Sequence, residues 1–266
     1  MRILAAMRLS KMIVAASALA LSTPALAATC GSTGAGFESW RAAYAAEVKS
    51  QGIGAKGIAA LQGTNYAAPT IRADRGLKSF KLPLAAFMQK RGSSAIVAQG
   101  RRLKVANAAL FASIQTRYGV PAGPLIAIWG MESGFGGTVG HENVLSAIAT
   151  LAYDCRRSAF FTDQLHAALQ AVDRGLMSPS AQGALFGEVG QTQFMPKNVL
   201  AYGGGANLDS KAGALNATAN FLRGHGWTAG SGYQPGEPNF AAIQGWNDAS
   251  VYQQAIAIMG AQIDGG

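Results

Sequence analysis

Glu132 is the residue of this chain best placed to do chemistry. It closes the run Ala127-Ile128-Trp129-Gly130-Met131 and is followed by Ser133-Gly134-Phe135-Gly136. A lone carboxyl therefore stands where an apolar stretch meets a glycine-rich turn. Burial among Ile128, Trp129, Met131 and Phe135 disfavours the charged form and raises the carboxyl pKa. An acid that keeps its proton near neutral pH is what protonation of a glycosidic leaving group requires. The other reading of the same stretch is a capping or salt-bridged glutamate. Two later stretches offer groups suited to a sugar. In Gly187-Glu188-Val189-Gly190-Gln191-Thr192-Gln193-Phe194-Met195-Pro196, glycines such as Gly190 let backbone approach a ligand, Gln193 both donates and accepts, and Phe194 offers an apolar face. A tight turn leading into a helix at Pro196 explains the same residues without a ligand. Gly245-Trp246-Asn247-Asp248-Ala249-Ser250-Val251-Tyr252 supplies two aromatics and an amide, or an N-cap with core aromatics.

Other chemistries find less support. Cys30 and Cys155 are the two cysteines. In an oxidising compartment they read as one disulfide, against a nucleophile at Cys155 activated by Arg156 and Arg157. His141, His166 and His225 are scattered, with no H-x-x-x-H or C-x-x-C, so neither a metal site nor a cofactor is expected. Gly52-Ile53-Gly54-Ala55-Lys56-Gly57 matches G-x-G-x-x-G, but a helix precedes it where a dinucleotide fold needs a strand. It reads as a helix end and a turn.

The composition narrows the class. Charged residues make up 13% of the 266 and hydrophobic ones 49%, about half the usual charged share, which excludes a disordered chain. The 34 glycines follow no G-X-Y period, which excludes collagen. The formal charge is +9, with the positives dispersed rather than gathered in a run. That speaks against nucleic acid and suits an anionic polymer outside the cytoplasm. Arg2, Arg8 and Lys11 precede the apolar run Met12–Leu21, and Pro24-Ala25-Leu26-Ala27 follows it. This is the pattern of a secretory signal peptide over 1–27, too short in its apolar part for a span. Its removal takes the formal charge to +6 and sends the chain to the periplasm or beyond, with no stable membrane span.

Helices must position these residues. Phe37, Trp40, Tyr44 and Val48 form one apolar stripe of a helix over Phe37–Gln51. Further helices are expected over Ser94–Tyr118, Leu125–Met131 (apolar almost all round and so buried), Val144–Ala152, Ser158–Arg174, Lys197–Tyr202, Lys211–Gly224 and Ser250–Gln262. Leu61–Leu84, with Pro69, Pro83 and little periodicity, reads as an extended arm on the surface or in a groove. Gly203–Gly205 and Ser231–Asn239 read as loops.

In this order, the three motif stretches resemble the lytic murein transglycosylases of the membrane-bound lytic transglycosylase B type. The resemblance runs from about Phe37 to Gln262. It is densest from Tyr118-Gly119-Val120-Pro121 through Gly136, over Gly140–Arg157, and over Gly190–Pro196. It implies a mainly α fold: a lysozyme-like helical catalytic core (119–266) with additional N-terminal helices (28–118) and the extended arm, together a single catalytic domain over 28–266. It also implies non-hydrolytic cleavage of the MurNAc–GlcNAc β-1,4 bond of peptidoglycan glycan strands, giving 1,6-anhydro-MurNAc ends. Carried over by position, Glu132 is the acid/base, and Gln193, Phe194, Asn247 and Tyr252 contact glycan together with the neighbouring Trp246. Arg156 and Arg157 match a cleft-lining arginine pair, and Glu188 lines the cleft where some relatives carry a small residue. Some relatives have Tyr, Ser and Ser where Trp246, Ala249 and Ala184 stand. The short loop Gly203–Asp209 has a single carboxylate, so the calcium site of part of the family is not expected. Two other functions fit these residues: a hydrolysing muramidase, with Glu142, Asp154, Asp163, Glu188 or Asp248 as second carboxylate, and a non-catalytic peptidoglycan-binding envelope protein.

Overall fold

The structure is a computed structural model that describes residues 28–76 and 82–265; the expected signal peptide lies outside them. Thirteen α-helices occur among the described residues: α1 (Phe37–Ser50), α2 (Ala55–Gln62), α3 (Ala68–Gly76), α4 (Leu84–Lys90), α5 (Ser93–Ala106), α6 (Ala108–Tyr118), α7 (Ala122–Ser133), α8 (Val144–Tyr153), α9 (Ser158–Asp173), α10 (Pro196–Tyr202), α11 (Lys211–Gly224), α12 (Phe240–Trp246) and α13 (Ser250–Asp264). Two short strands, β1 (Glu142–Asn143) and β2 (Gln182–Gly183), pair antiparallel. The mainly α expectation holds, and the apolar-periodic helices lie within a few residues of where the periodicity puts them.

The central element is α7. Every residue from Ala122 to Met131 is buried, because α13 and α5 pack along it and α11 closes another side. Two glycines bring α7 and α13 together: a Cβ on Gly123 would lie 2.2 Å from the Gly260 carbonyl oxygen. Asp264 of α13 accepts the Gly123 N–H at 2.7 Å, placing a carboxylate at the helix start where free N–H groups favour an anion. A second core region stacks Phe37 and Trp40 of α1 with Tyr66 and Tyr153. There Cys30 and Cys155 are joined as a disulfide across 125 residues, so Cys155 has no free thiol to act as a nucleophile.

Three local readings change. The described residues of 61–84 do not form an extended arm: α2 runs to Gln62, α3 occupies Ala68–Gly76 and α4 starts at Leu84. Polar contacts rather than an apolar stripe hold α3. The Ala67 N–H donates to Thr150 Oγ1 at 2.8 Å, and buried Asp74 takes both Arg156 and Arg157. The expected helix Ser94–Tyr118 breaks at Asn107, whose amide donates to the Leu103 carbonyl at 2.8 Å and whose oxygen takes Lys211. An Asn side chain that bonds nearby backbone competes with helix continuation. The glycine motif at 52–57 holds the expected turn after α1, but its second half also opens a helix, with Gly54 at the start of α2. Asp173 of α9 accepts the N–H groups of Gly54 and Gly57 at 2.6 and 2.7 Å.

Candidate active site

Glu132 is the penultimate residue of α7, before Gly134 takes the left-handed conformation (φ 57°) that ends the helix. Two neutral donors converge on one of its oxygens. Tyr252 Oη of α13 donates to Oε1 at 2.5 Å, and the indole N–H of Trp246, at the end of α12, donates to the same atom at 3.2 Å. Among the described residues no protein group donates to Oε2. Glu132 keeps part of its surface open, so it is not sealed inside the core. Removal from water pushes its carboxyl pKa up; the bonds from Tyr252 and Trp246 and the charge of Arg91 oppose that rise. Burial, and next the Glu132 charge, push the Tyr252 phenol well above its ordinary range, so it remains a donor.

The turn after Glu132 is tied to the 187–196 loop. Ser133 Oγ accepts the Gly136 N–H at 2.8 Å and donates to the Gln191 carbonyl. Gln191 Oε1 takes the Trp129 indole N–H at 2.9 Å, while its Nε2 reaches the Asp209 carbonyl at 2.6 Å. The non-glycine residues with positive φ among those described are Phe135 (64°) and Gln193 (55°), one on each side of this junction. Such conformations persist only where surrounding structure imposes them, and they gather at functional sites. Gln193 Nε2 donates to the Gly190 carbonyl at 2.9 Å.

The remaining expected residues take different places. Trp246, Tyr252 and Glu132 are in direct contact. Phe194 supports Trp246 from behind, and Gly190 packs against Leu208. Phe194 is 1% exposed, its ring edge-on to Trp246 and Phe221 at 5.3 and 6.3 Å. A Cβ on Gly190 would lie 2.5 Å from the Leu208 carbonyl oxygen. Asn247 caps the approach to α13, accepting the Ala249 N–H at 2.9 Å. Arg156 and Arg157 stand at the α8–α9 junction, gripped by Asp74, with the Arg157 guanidinium 4.8 Å from the Phe161 ring centre and 5.8 Å from that of Phe186. Glu188 sits in a tight turn closed by the Ala184 N–H on its carbonyl at 2.8 Å, and its Oε2 is buried without a hydrogen-bond partner. Burial raises the Glu188 pKa, and the Glu132 charge adds to the rise. Arg91, Gln191 and Ser133 tie the end of α7, and Asp74 holds the arginine pair, roles that the sequence pattern does not announce. Gln191 lies inside a quoted motif, whereas nothing in the pattern around Arg91 or Asp74 marks them. A cavity of about 830 Å³ lined by Lys56, Gly63, Met177 and Ser180 lies elsewhere and holds no carboxylate. No helix among the described residues is long and apolar enough to cross a membrane, and no group of three His, Cys, Asp or Glu gathers as a metal site.

Known proteins resemble this chain in sequence and in fold. The membrane-bound lytic murein transglycosylase B of Escherichia coli K12 is 32% identical over 137 residues, 46% of this chain and 38% of that protein. The chain thus matches little more than a third of that relative's length. The solved structure of SltB3 from Pseudomonas aeruginosa in complex with NAG-anhNAM-pentapeptide superposes with a TM-score of 0.77 at 27% identity, covering 86% of this chain and 80% of that one. The lytic transglycosylase Slt35 of Escherichia coli in complex with bulgecin A superposes at 0.71 and 20% identity, covering 89% and 96%, and shares the fold. The transglycosylase SLT domain model matches residues 36–235, three quarters of the chain, and the protein belongs to that family.

Proposed function

We propose that this protein is a peptidoglycan lytic transglycosylase that cleaves the MurNAc–GlcNAc β-1,4 bond without water. The observation that carries the reading is Glu132 itself: a carboxyl lifted towards its acid form by burial, with one oxygen fixed by neutral donors and the other free. Glu132 Oε2 gives its proton to the glycosidic oxygen as the C1–O bond breaks, and GlcNAc leaves with its 4-hydroxyl restored. The resulting carboxylate takes the proton of the MurNAc C6 hydroxyl as O6 bonds C1, closing the 1,6-anhydro ring and returning Glu132 to its acid form. No water is consumed and no cofactor is needed. The N-acetyl group shields C1 between the two steps, so one carboxylate suffices. Tyr252 and Trp246 hold Glu132, while Arg156, Arg157, Gln193, Asn247 and Glu188 line the glycan path. Residues 28–266 act as one catalytic domain, exported to the periplasm by the signal peptide at 1–27.

A second buried carboxyl, Glu188, whose Oε2 has no hydrogen-bond partner, favours a second reading, hydrolysis with two carboxylates. Mass spectrometry of digested murein separates the two. Anhydro-muropeptides roughly 18 Da lighter than reducing ones, one water fewer, are expected. Products with only reducing MurNAc ends sink the lytic reading, and binding to sacculi with no soluble product sinks both.

A further inference from the structure

A cavity of about 480 Å³ opens where the ends of α6 and α10 meet one side of α11. Arg117 and Tyr118 reach it from α6, Tyr202 from α10, and Asn216, Asn220 and Arg223 from α11. None of the residues around Glu132 lines it. The buried ring of Phe221 packs against Tyr202 at 5.0 Å and against Trp246 at 4.9 Å, so an aromatic layer separates the cavity from Glu132. A Cβ on Gly224 would lie 2.5 Å from Tyr202 Cε1; glycine there gives that ring its place in the wall.

The lining is polar and holds no acid. Arg223 Nη1 donates to the Arg117 carbonyl at 3.1 Å, which gathers two cations on one wall. The Arg117 guanidinium lies 5.1 Å from the Tyr118 ring centre and holds no hydrogen-bond partner among the described residues. Neither arginine forms an ion pair among them. The asparagines present the opposite polarity. Asn216 Nδ2 donates to the Ala212 carbonyl at 2.8 Å, and Asn220 Nδ2 to the Tyr202 carbonyl at 3.0 Å. With its NH2 engaged, each amide offers its oxygen as an acceptor, and no donor among the described residues reaches either oxygen. Guanidinium forks suit a carboxylate, and bare amide oxygens suit N–H donors. A peptide carries both groups, whereas a phosphate has no N–H to give.

We propose that this cavity binds the peptide stems of peptidoglycan, a carboxylate at Arg117 and Arg223 and peptide N–H groups at Asn216 and Asn220. This rests on peptidoglycan being the substrate. A second foothold raises the local concentration of strand at Glu132 without entering the chemistry, so it acts on binding and KM and leaves kcat alone.

The test measures binding to purified sacculi in the Glu132→Gln background, which blocks digestion, and kcat and KM in the active protein. The variants are Arg117→Gln, Arg223→Gln and the pair. A control pair, Lys49→Gln with Arg102→Gln, removes the same formal charge from exposed positions on α1 and α5. Arg117→Gln weakens binding about threefold and the pair about tenfold, the scale of exposed charge pairs. KM rises alike and kcat stays. On glycan strands stripped of peptide by an amidase, the variants bind as their parent does, and the control pair binds intact sacculi as its parent does. If melting curves show that Arg223→Gln disturbs folding, Arg117→Gln decides, since that guanidinium holds nothing. Undiminished binding, an equal loss on stripped strands, an equal loss in the control pair, or a fall in kcat with KM unmoved overturns the proposal. Wild type separates the two failures: no soluble product from sacculi sinks the peptidoglycan reading, whereas full release with unchanged variants overturns only this site.

Discussion

Asp74 and Glu132 are both acids withdrawn from water, and the protein surrounds them with opposite partners. Asp74 is 1% exposed and lies against two guanidiniums, Arg156 and Arg157, one of which also takes its backbone carbonyl. Glu132 meets a phenol and an indole, neither of which carries charge. A buried carboxylate gripped by two cations becomes an anchor, here fastening α3 to the α8–α9 junction. A buried carboxyl given only neutral donors keeps a labile proton. The partner set, rather than the depth of burial, separates a strut from a reagent.

The comparison can be broken first at the reagent. Glu132→Gln keeps the shape and the contacts but cannot exchange the proton, and anhydro-muropeptide release should fall by about 10²-fold or more; wild-type release removes Glu132 from the chemistry. At the strut, Asp74→Asn leaves two guanidiniums facing a neutral amide. Since the arginines are partly exposed and can rehydrate, about 2–3 kcal/mol of stability should be lost rather than the full cost of a sealed pair. Denaturant unfolding measures this, and an unchanged midpoint denies Asp74 its role. Tyr252→Phe removes the shorter bond to Oε1. A bond that favours the carboxylate is lost, so the Glu132 pKa rises further and the alkaline limb of kcat moves up, with the rate at neutral pH down roughly tenfold, the worth of one charged hydrogen bond of about 1.5 kcal/mol. A limb moving down contradicts the sign. The smallest effect is on stability. The folded-state pKa of Glu132 is raised, so its contribution is fully present below the unfolded pKa and is lost as pH rises through the folded one. The melting temperature of Glu132→Gln should therefore gain on wild type as pH increases through that window; parallel curves refute it.

What the sequence makes legible follows the physics that writes it. The helices that bury an apolar stripe, such as α1, α8, α9 and α13, announce themselves by periodicity, and α7 by being apolar all round. Glu132 is conspicuous because it is the one acid in that run. Helix α3 is hidden because Thr150, Arg156 and Arg157, more than eighty residues away in the chain, hold it, and no local window contains that information. Arg91 is invisible for the same reason, since its partner is a backbone carbonyl 40 residues on. Phe194 shows the converse: its type and motif suggested a ligand contact, but only the packing of Phe221 and Trp246 reveals that its ring is fully enclosed.

Helix α13 carries Tyr252 near its start and Asp264 at its end, so one element supplies both the donor on Glu132 and the cap on the far end of α7. Docking of that one helix therefore completes both ends of α7 together. Until it docks, α7 lacks its cap and Glu132 lacks its phenol.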